Sequence, residues 1–277
     1  YIQHNIVLVQ TNYIGTFQTY PVNEKFNKLF FKKLINYLEP KQEVHDDFYT
    51  HLCYLMKDKE DSEFCYHHYI ISKYTNQIIT TKETNKMVVN GTTGMRTWEA
   101  ALMLSDWALC NKDKFLNRKI LELGSGIGFT GITIAKICKI HSIMLTDCHH
   151  DVLKALCENI KINFPNHRET ETSSSLIIEA LPFDVVPDIV IGADIVYDPS
   201  ILKPLCQVMQ MFFERNNQLE VYIASVIRNE DTFKRFLETL ACFSDFTRFS
   251  SWGTVVKDSD YGERMIIERG MTILYRN

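Results

Sequence analysis

Four stretches of this 277-residue chain carry side chains able to do chemistry. Glu122 sits in the run Ile120-Leu-Glu-Leu-Gly124-Ser-Gly126-Ile-Gly128, and Asp147 closes a second apolar run downstream. Phe183 follows a third, and Asp194-Ile-Val-Tyr197 follows a fourth. An apolar strand that ends in glycines and then opens a helix lets a ligand approach the backbone closely. Two residues before Gly124, the Glu122 carboxylate is placed to meet a polar or cationic group of a nucleoside cofactor. Asp147 can take both hydroxyls of a ribose.

Together these residues suggest a pocket for S-adenosylmethionine, and so methyl transfer. Gly126-Ile-Gly128-Phe-Thr-Gly131 also satisfies GxGxxG, the dinucleotide fingerprint, and an acid about twenty residues on suits both readings. The strand register separates them. The apolar segment runs 119–123, so Gly124 is the first turn glycine; the dinucleotide register would end the strand two residues late and leave Glu122 without a role. A nicotinamide-dependent oxidoreductase remains the alternative from this run alone.

Asp194 and Tyr197 suit the acceptor side. Methyl transfer from a sulfonium is an in-line displacement, so the protein mainly positions the acceptor. A carboxylate fixes an amine by a charge-assisted hydrogen bond, and an aromatic ring favours a methylated, cationic nitrogen. The plainer reading is a helix N-cap with a surface tyrosine. Phe183 is placed to lie flat on an adenine, or else is an ordinary core aromatic. Trp98, at the start of a helix, walls the same pocket or packs in the core.

The elements that must position these residues are legible in outline. After Gly91-Thr-Thr-Gly94 comes a strong helix over 98–109, with Thr97 as its cap. Strands over 119–123, 142–146, 176–180, 188–193 and 221–226 then alternate with helices over 129–139, 149–163, 199–213 and 230–242. Such alternation predicts a doubly wound parallel sheet with helices on both faces, and ligands at the carboxyl ends of its strands. Segments 251–257 and 265–275 read as an antiparallel hairpin added to the sheet edge. Residues 1–85 differ: apolar residues at helical spacing run from Phe26 to Leu38, and a second helix spans 46–56 with acids in its first turn. Segments 78–81 and 87–89 read as strands. The expected division is a small, mainly helical region over 1–85 and a cofactor-binding domain over 86–277.

Composition narrows the function further. A 45% hydrophobic content supports a packed core, and a net charge of −4 gives no global basic footprint for nucleic acid. No run of eighteen apolar residues proposes a membrane span. The eight cysteines are scattered without CxxC spacing, which suits a reducing compartment. Cys148-His149-His150-Asp151 has no partner pair elsewhere, so no metal is expected.

The stretches Gly91-Thr-Thr-Gly-Met-Arg-Thr-Trp-Glu-Ala-Ala, Leu121-Glu-Leu-Gly-Ser-Gly, Thr146-Asp-Cys-His and Ala193-Asp-Ile-Val-Tyr resemble the seven-β-strand protein lysine methyltransferases, in particular those acting on elongation factor 2. The likeness is specific over 91–131 and 187–197 and loose before Thr80. It implies a seven-stranded, mostly parallel Rossmann-like sheet with a C-terminal hairpin. It also implies an S-adenosylmethionine site lined by Trp98, Gly124, Ser125, Gly126, Asp147, Phe183 and Ala193. Asp194 to Tyr197 match the family's acid-x-x-aromatic motif beside the acceptor lysine. The implied reaction is methylation of a lysine of elongation factor 2, in the cytoplasm, by a monomer. Phe183 stands where the family has tryptophan; it keeps the stacking face and loses the indole N–H. A different lysine substrate, or a silent S-adenosylmethionine-binding interaction module, stays open beside that reading.

Overall fold

A computed structural model describes residues 19–20, 22–56, 63–71, 77–165, 176–178, 186–242, 248–256 and 267–275. The chain divides into two compact units, Tyr1–Met87 and Val88–Asn277.

In the first unit, α1 (Glu24–Leu38) is capped by Asn23, whose Oδ1 accepts from the Phe26 amide at 3.2 Å. α2 (Asp46–Leu55) opens with Asp46 and Asp47, which complement the positive end of its dipole. Leu34, Ile35, Leu38 and Val44 bury together, with Phe48 and Leu52 packed on them. β1 (Phe64–Ile71) pairs antiparallel with β2 (Gln77–Thr84). Sequence periodicity found only part of β2. Its partner escaped because Tyr66-His67-His68-Tyr69 is half-buried throughout and shows no alternation. The expected strand at 87–89 is absent: Met87 and Val88 are exposed, and Val89 makes only an isolated bridge to Thr92.

The second unit holds α3 (Glu99–Cys110), the short α4 (Lys112–Phe115), β3 (Lys119–Leu123), α5 (Phe129–Ile137), β4 (Ser142–Leu145) and α6 (His150–Asn163). β5 (Leu176–Ile178), β6 (Ile189–Ala193), α7 (Leu202–Arg215), β7 (Glu220–Ile227) and α8 (Glu230–Ala241) follow. β4, β3, β6 and β7 lie side by side in a parallel sheet. Backbone pairing continues it with β5 beside β4 and, beyond β7, with β9 (Ile267–Tyr275) antiparallel to β7 and β8 (Arg248–Val256) antiparallel to β9. Trp98, expected as the first helical residue, is instead the extended N-cap of α3, and this cap makes no side-chain hydrogen bond.

Near-continuous apolar strands explain the burial of both sheet faces. On one face Leu121, Val190, Val221 and Ile223 pack with Cys206, Met209, Phe212 and Phe213 of α7 and with Phe236 and Leu240 of α8. On the other, Tyr222 meets Trp107 and Phe115, at ring-centroid distances of 4.6 and 6.2 Å. β3 is followed by β4 on one side and flanked by β6 on the other. The order of the sheet therefore reverses at β3 and β6, which opens a crevice at their carboxyl ends. No helix among the described residues is long and apolar enough to cross a membrane.

Candidate active site

The crevice begins where β3 ends. Gly124, Gly126 and Gly128 have φ of +61°, +53° and +91°, a region that side chains with a Cβ disfavour. All three glycines also make room for neighbours, Gly128 for Leu156 of α6. A Cβ at Gly124 would lie 2.7 Å from Ile195 Cγ2, and one at Gly126 would lie 3.1 Å from the Gly94 carbonyl oxygen. The loop after β3 is thus closely packed between the loop after β6 and the segment leading into α3.

Ser125 and Thr146 tie that loop to the end of β4. The Ser125 amide donates to the Thr146 carbonyl at 2.8 Å, and the Thr146 amide donates to Ser125 Oγ at 3.1 Å. The Thr146 hydroxyl donates to the Glu122 carbonyl at 2.7 Å. This lacing presents Asp147, half-buried, with Oδ2 accepting from the Gly126 amide at 3.1 Å and Oδ1 from the His149 amide at 3.0 Å. A carboxylate held by two amides has a fixed orientation and spare lone pairs for hydroxyl donors.

Glu122 lies deeper than its place in the motif suggested. It is 2% exposed, and a Cβ on Gly131 would come within 2.5 Å of its Oε2. That oxygen makes no hydrogen bond of normal geometry. Burial pushes the carboxyl up to about 8; the Ser125 hydroxyl and the Gly131 amide draw it back, and the nearby Asp147 raises it again. At neutral pH Glu122 is a protonated acid under the first turn of α5.

On the other side of the switch, Ala193 ends β6, half-buried, and Asp194 follows with φ of +55°. A short polar side chain tolerates that conformation because it can bond to nearby backbone. Asp194 Oδ1 accepts from the Val226 amide at 2.9 Å, and its own amide donates to the Ala224 carbonyl at 2.8 Å. Oδ2 meets Arg228 Nη2 at 3.2 Å. The side chain is only 10% exposed. Tyr197, by contrast, is 60% exposed, its ring open to solvent. Trp98 is half-buried; its indole N–H donates to the Thr93 carbonyl at 2.9 Å.

The structure thus gathers Gly126, Ser125 and Asp147 into one hydrogen-bonded group with Glu122 beneath it. Asp194 and Trp98 belong to a second group joined through Arg228. Phe183 lies outside the described residues. Arg228 and Glu99 were missed by sequence reasoning. Arg228 follows β7, so the rule that ligands gather at strand carboxyl ends would have nominated it had it been extended one strand further.

A parallel sheet that places a glycine loop and two backbone-held carboxylates around one switch point fits the class of S-adenosylmethionine-dependent methyltransferases. The residues fit that cofactor: the loop after β3 projects no side chain from Gly124 or Gly126, and the Asp147 carboxylate is oriented and part-exposed. The chain belongs to the lysine methyltransferase family, whose model matches residues 75–243, and it is a protein-lysine N-methyltransferase. It is similar to protein-lysine N-methyltransferase EEF2KMT of Mus musculus, with 34% identity over 78% of this chain and 68% of that protein. The Homo sapiens protein of the same name is 32% identical over 80% and 71%. Protein-lysine N-methyltransferase EFM3 of Chaetomium thermophilum is 28% identical over 63% and 56%.

Proposed function

We propose that this chain transfers methyl groups from S-adenosylmethionine to a lysine of elongation factor 2, in the cytoplasm and as a monomer. The substrate reading is supported by the likeness to the EEF2KMT proteins. The observation that carries the chemistry is Asp194, a backbone-anchored carboxylate three residues from the open ring of Tyr197. The proposed architecture is the seven-stranded sheet with its C-terminal hairpin over 86–277, preceded by a separate region over 1–85.

In this reading Trp98, Gly124, Ser125, Gly126, Asp147, Phe183 and Ala193 flank the cofactor. Asp147 holds the ribose hydroxyls, and Glu122 supports the loop from below. Bound S-adenosylmethionine supplies a methyl group made electrophilic by its sulfonium. The lysine nitrogen's lone pair forms the new N–C bond as the C–S bond breaks. The bonding pair stays on sulfur. The proton of the lysine ammonium passes to water before this step, so the amine attacks neutral and the methylated nitrogen is left cationic. Asp194 aligns the amine through a charge-assisted hydrogen bond, and Tyr197 offers its ring face to the methylated cation.

The test is incubation with radiolabelled S-adenosylmethionine and elongation factor 2, with Asp194→Ala and Asp194→Asn alongside. The expected result is label on a single lysine, lost in both variants, with cofactor binding within a few-fold of the parent. Cofactor binding without label discards elongation factor 2 as substrate. Undiminished label in the variants removes Asp194 from the mechanism.

A further inference from the structure

Asp194 does not stand alone. Arg228 Nη2 lies 3.2 Å from Asp194 Oδ2 and 3.1 Å from Glu99 Oε2, so one nitrogen bridges two carboxylates. The Arg228 guanidinium is also 4.9 Å from the centroid of the Trp98 ring, and Arg96 lies at the same distance from that ring. Arg228, just past the end of β7, takes partners from two other places: the loop after β6 and the start of α3. Arg228 is 44% and Glu99 41% exposed, so solvent screens the Glu99 contact, and the nearly buried Asp194 carboxylate with the Trp98 ring does most to position the guanidinium.

Such fixing matters because of what a carboxylate does to an amine. An acid facing a lysine favours the ammonium form, which has no lone pair to attack with. Free lysine already titrates near about 10.4, so a lone Asp194 would align the acceptor and at the same time keep it protonated. A cation fixed on the same carboxylate offsets that field while leaving the oxygen able to accept a hydrogen bond.

We propose that Arg228 is a positioning residue for methyl transfer: clamped between Asp194, Glu99 and Trp98, it aims the Asp194 carboxylate and cancels its charge, so that the acceptor lysine is received as a neutral amine. This rests on the reading of Asp194 as the acceptor-side acid. Among the described residues, the charged groups in the cluster are Asp194 from the β6 loop, Glu99 and Arg96 from the region of α3, and Arg228 itself. Removing Arg228 leaves two carboxylates facing the acceptor with Arg96 as the remaining cation. The acceptor then holds its proton to higher pH, and the rising limb of the rate profile moves up.

The test measures kcat and KM against pH for the full chain, with S-adenosylmethionine and elongation factor 2, for Arg228→Met, Arg228→Lys and Glu99→Gln. Cofactor binding and melting are followed in parallel. For Arg228→Met the limb of kcat should move up by about one pH unit, an about tenfold loss near neutral pH that closes as pH rises. Arg228→Lys keeps the charge but not the planar fork, so the limb should return to the parent's position while kcat stays below the parent's. Glu99→Gln removes an anion and should move the limb the other way. A pH-independent loss in Arg228→Met, an unmoved limb, or an Arg228→Lys as impaired as the methionine variant overturns the proposal. If Arg228→Met fails to fold, Glu99→Gln decides, and an unmoved limb there overturns it. Parent protein that binds the cofactor but labels no elongation factor 2 defeats the proposed function and this inference with it. An active parent whose variants keep its profile defeats the inference alone.

Discussion

Replacing Glu122 by glutamine should remove a large pH dependence from the stability of this protein. The carboxyl is raised from its usual 4.5 to about 8, chiefly by burial. Through that window the folded chain keeps the proton and the unfolded chain has lost it. Stability therefore falls as pH rises, by about 1.4 kcal/mol for each unit. The contribution is fully present below 4.5 and gone above about 8. Across the window the difference comes to about 5 kcal/mol, of which about 3 kcal/mol is lost by pH 7. Glutamine keeps the shape and has no proton to lose. Its amide costs something in hydrogen bonding, but that cost does not change with pH. Urea unfolding of parent and Glu122→Gln, followed by tryptophan fluorescence at half-unit steps from pH 5 to 8.5, isolates the effect. The gap between the two should move steadily in the variant's favour as pH rises. Parallel curves would show that Glu122 ionises like an exposed carboxylate, and the argument from burial would fail.

Gly128→Ala should destabilise without touching the chemistry. At φ of +91° a side chain is strained, and the new Cβ would lie 2.2 Å from Leu156 Cδ1. Strain of roughly 1–2 kcal/mol plus overpacking of roughly 1–3 kcal/mol gives about 2–5 kcal/mol in denaturant unfolding; a loss below about 1 kcal/mol contradicts the geometry. Tyr197→Ala should do the reverse. An exposed tyrosine leaves unfolding within about 0.5 kcal/mol of the parent, while kcat/KM for methyl transfer drops about tenfold with loss of the ring–cation contact; full activity would show that Tyr197 is only surface.

The sheet and the cofactor-side motif were legible because their signals are local. Near-continuous apolar runs mark buried parallel strands. Glycines at 124, 126 and 128 announce a tight strand-to-helix turn, and an acid at the end of the next strand is a short-range spacing. β1 was not legible, since a half-buried hairpin strand with two histidines carries no clean period. Nor did the chain order reveal what Glu122 would become. Its motif position suggested a carboxylate facing ligand, but whether an acid is ionised depends on the water around it, and the packing of α5 removes that water.

The same holds more strongly for the acceptor side. Asp194 and Tyr197 were nominated by their place after a strand, which is a fact of sequence. The partner that completes Asp194 lies 34 residues further on, and the second anion on that partner lies 129 residues before it. No local pattern links such positions. Sequence alone determined the alternation of strands and helices after Gly94, the glycine turn and the three candidate acids Glu122, Asp147 and Asp194, because each depends on neighbours along the chain. Only the tertiary structure decided which acid is buried and protonated and which is bridged by a guanidinium, because charge and solvation are set by atoms that meet across the sheet.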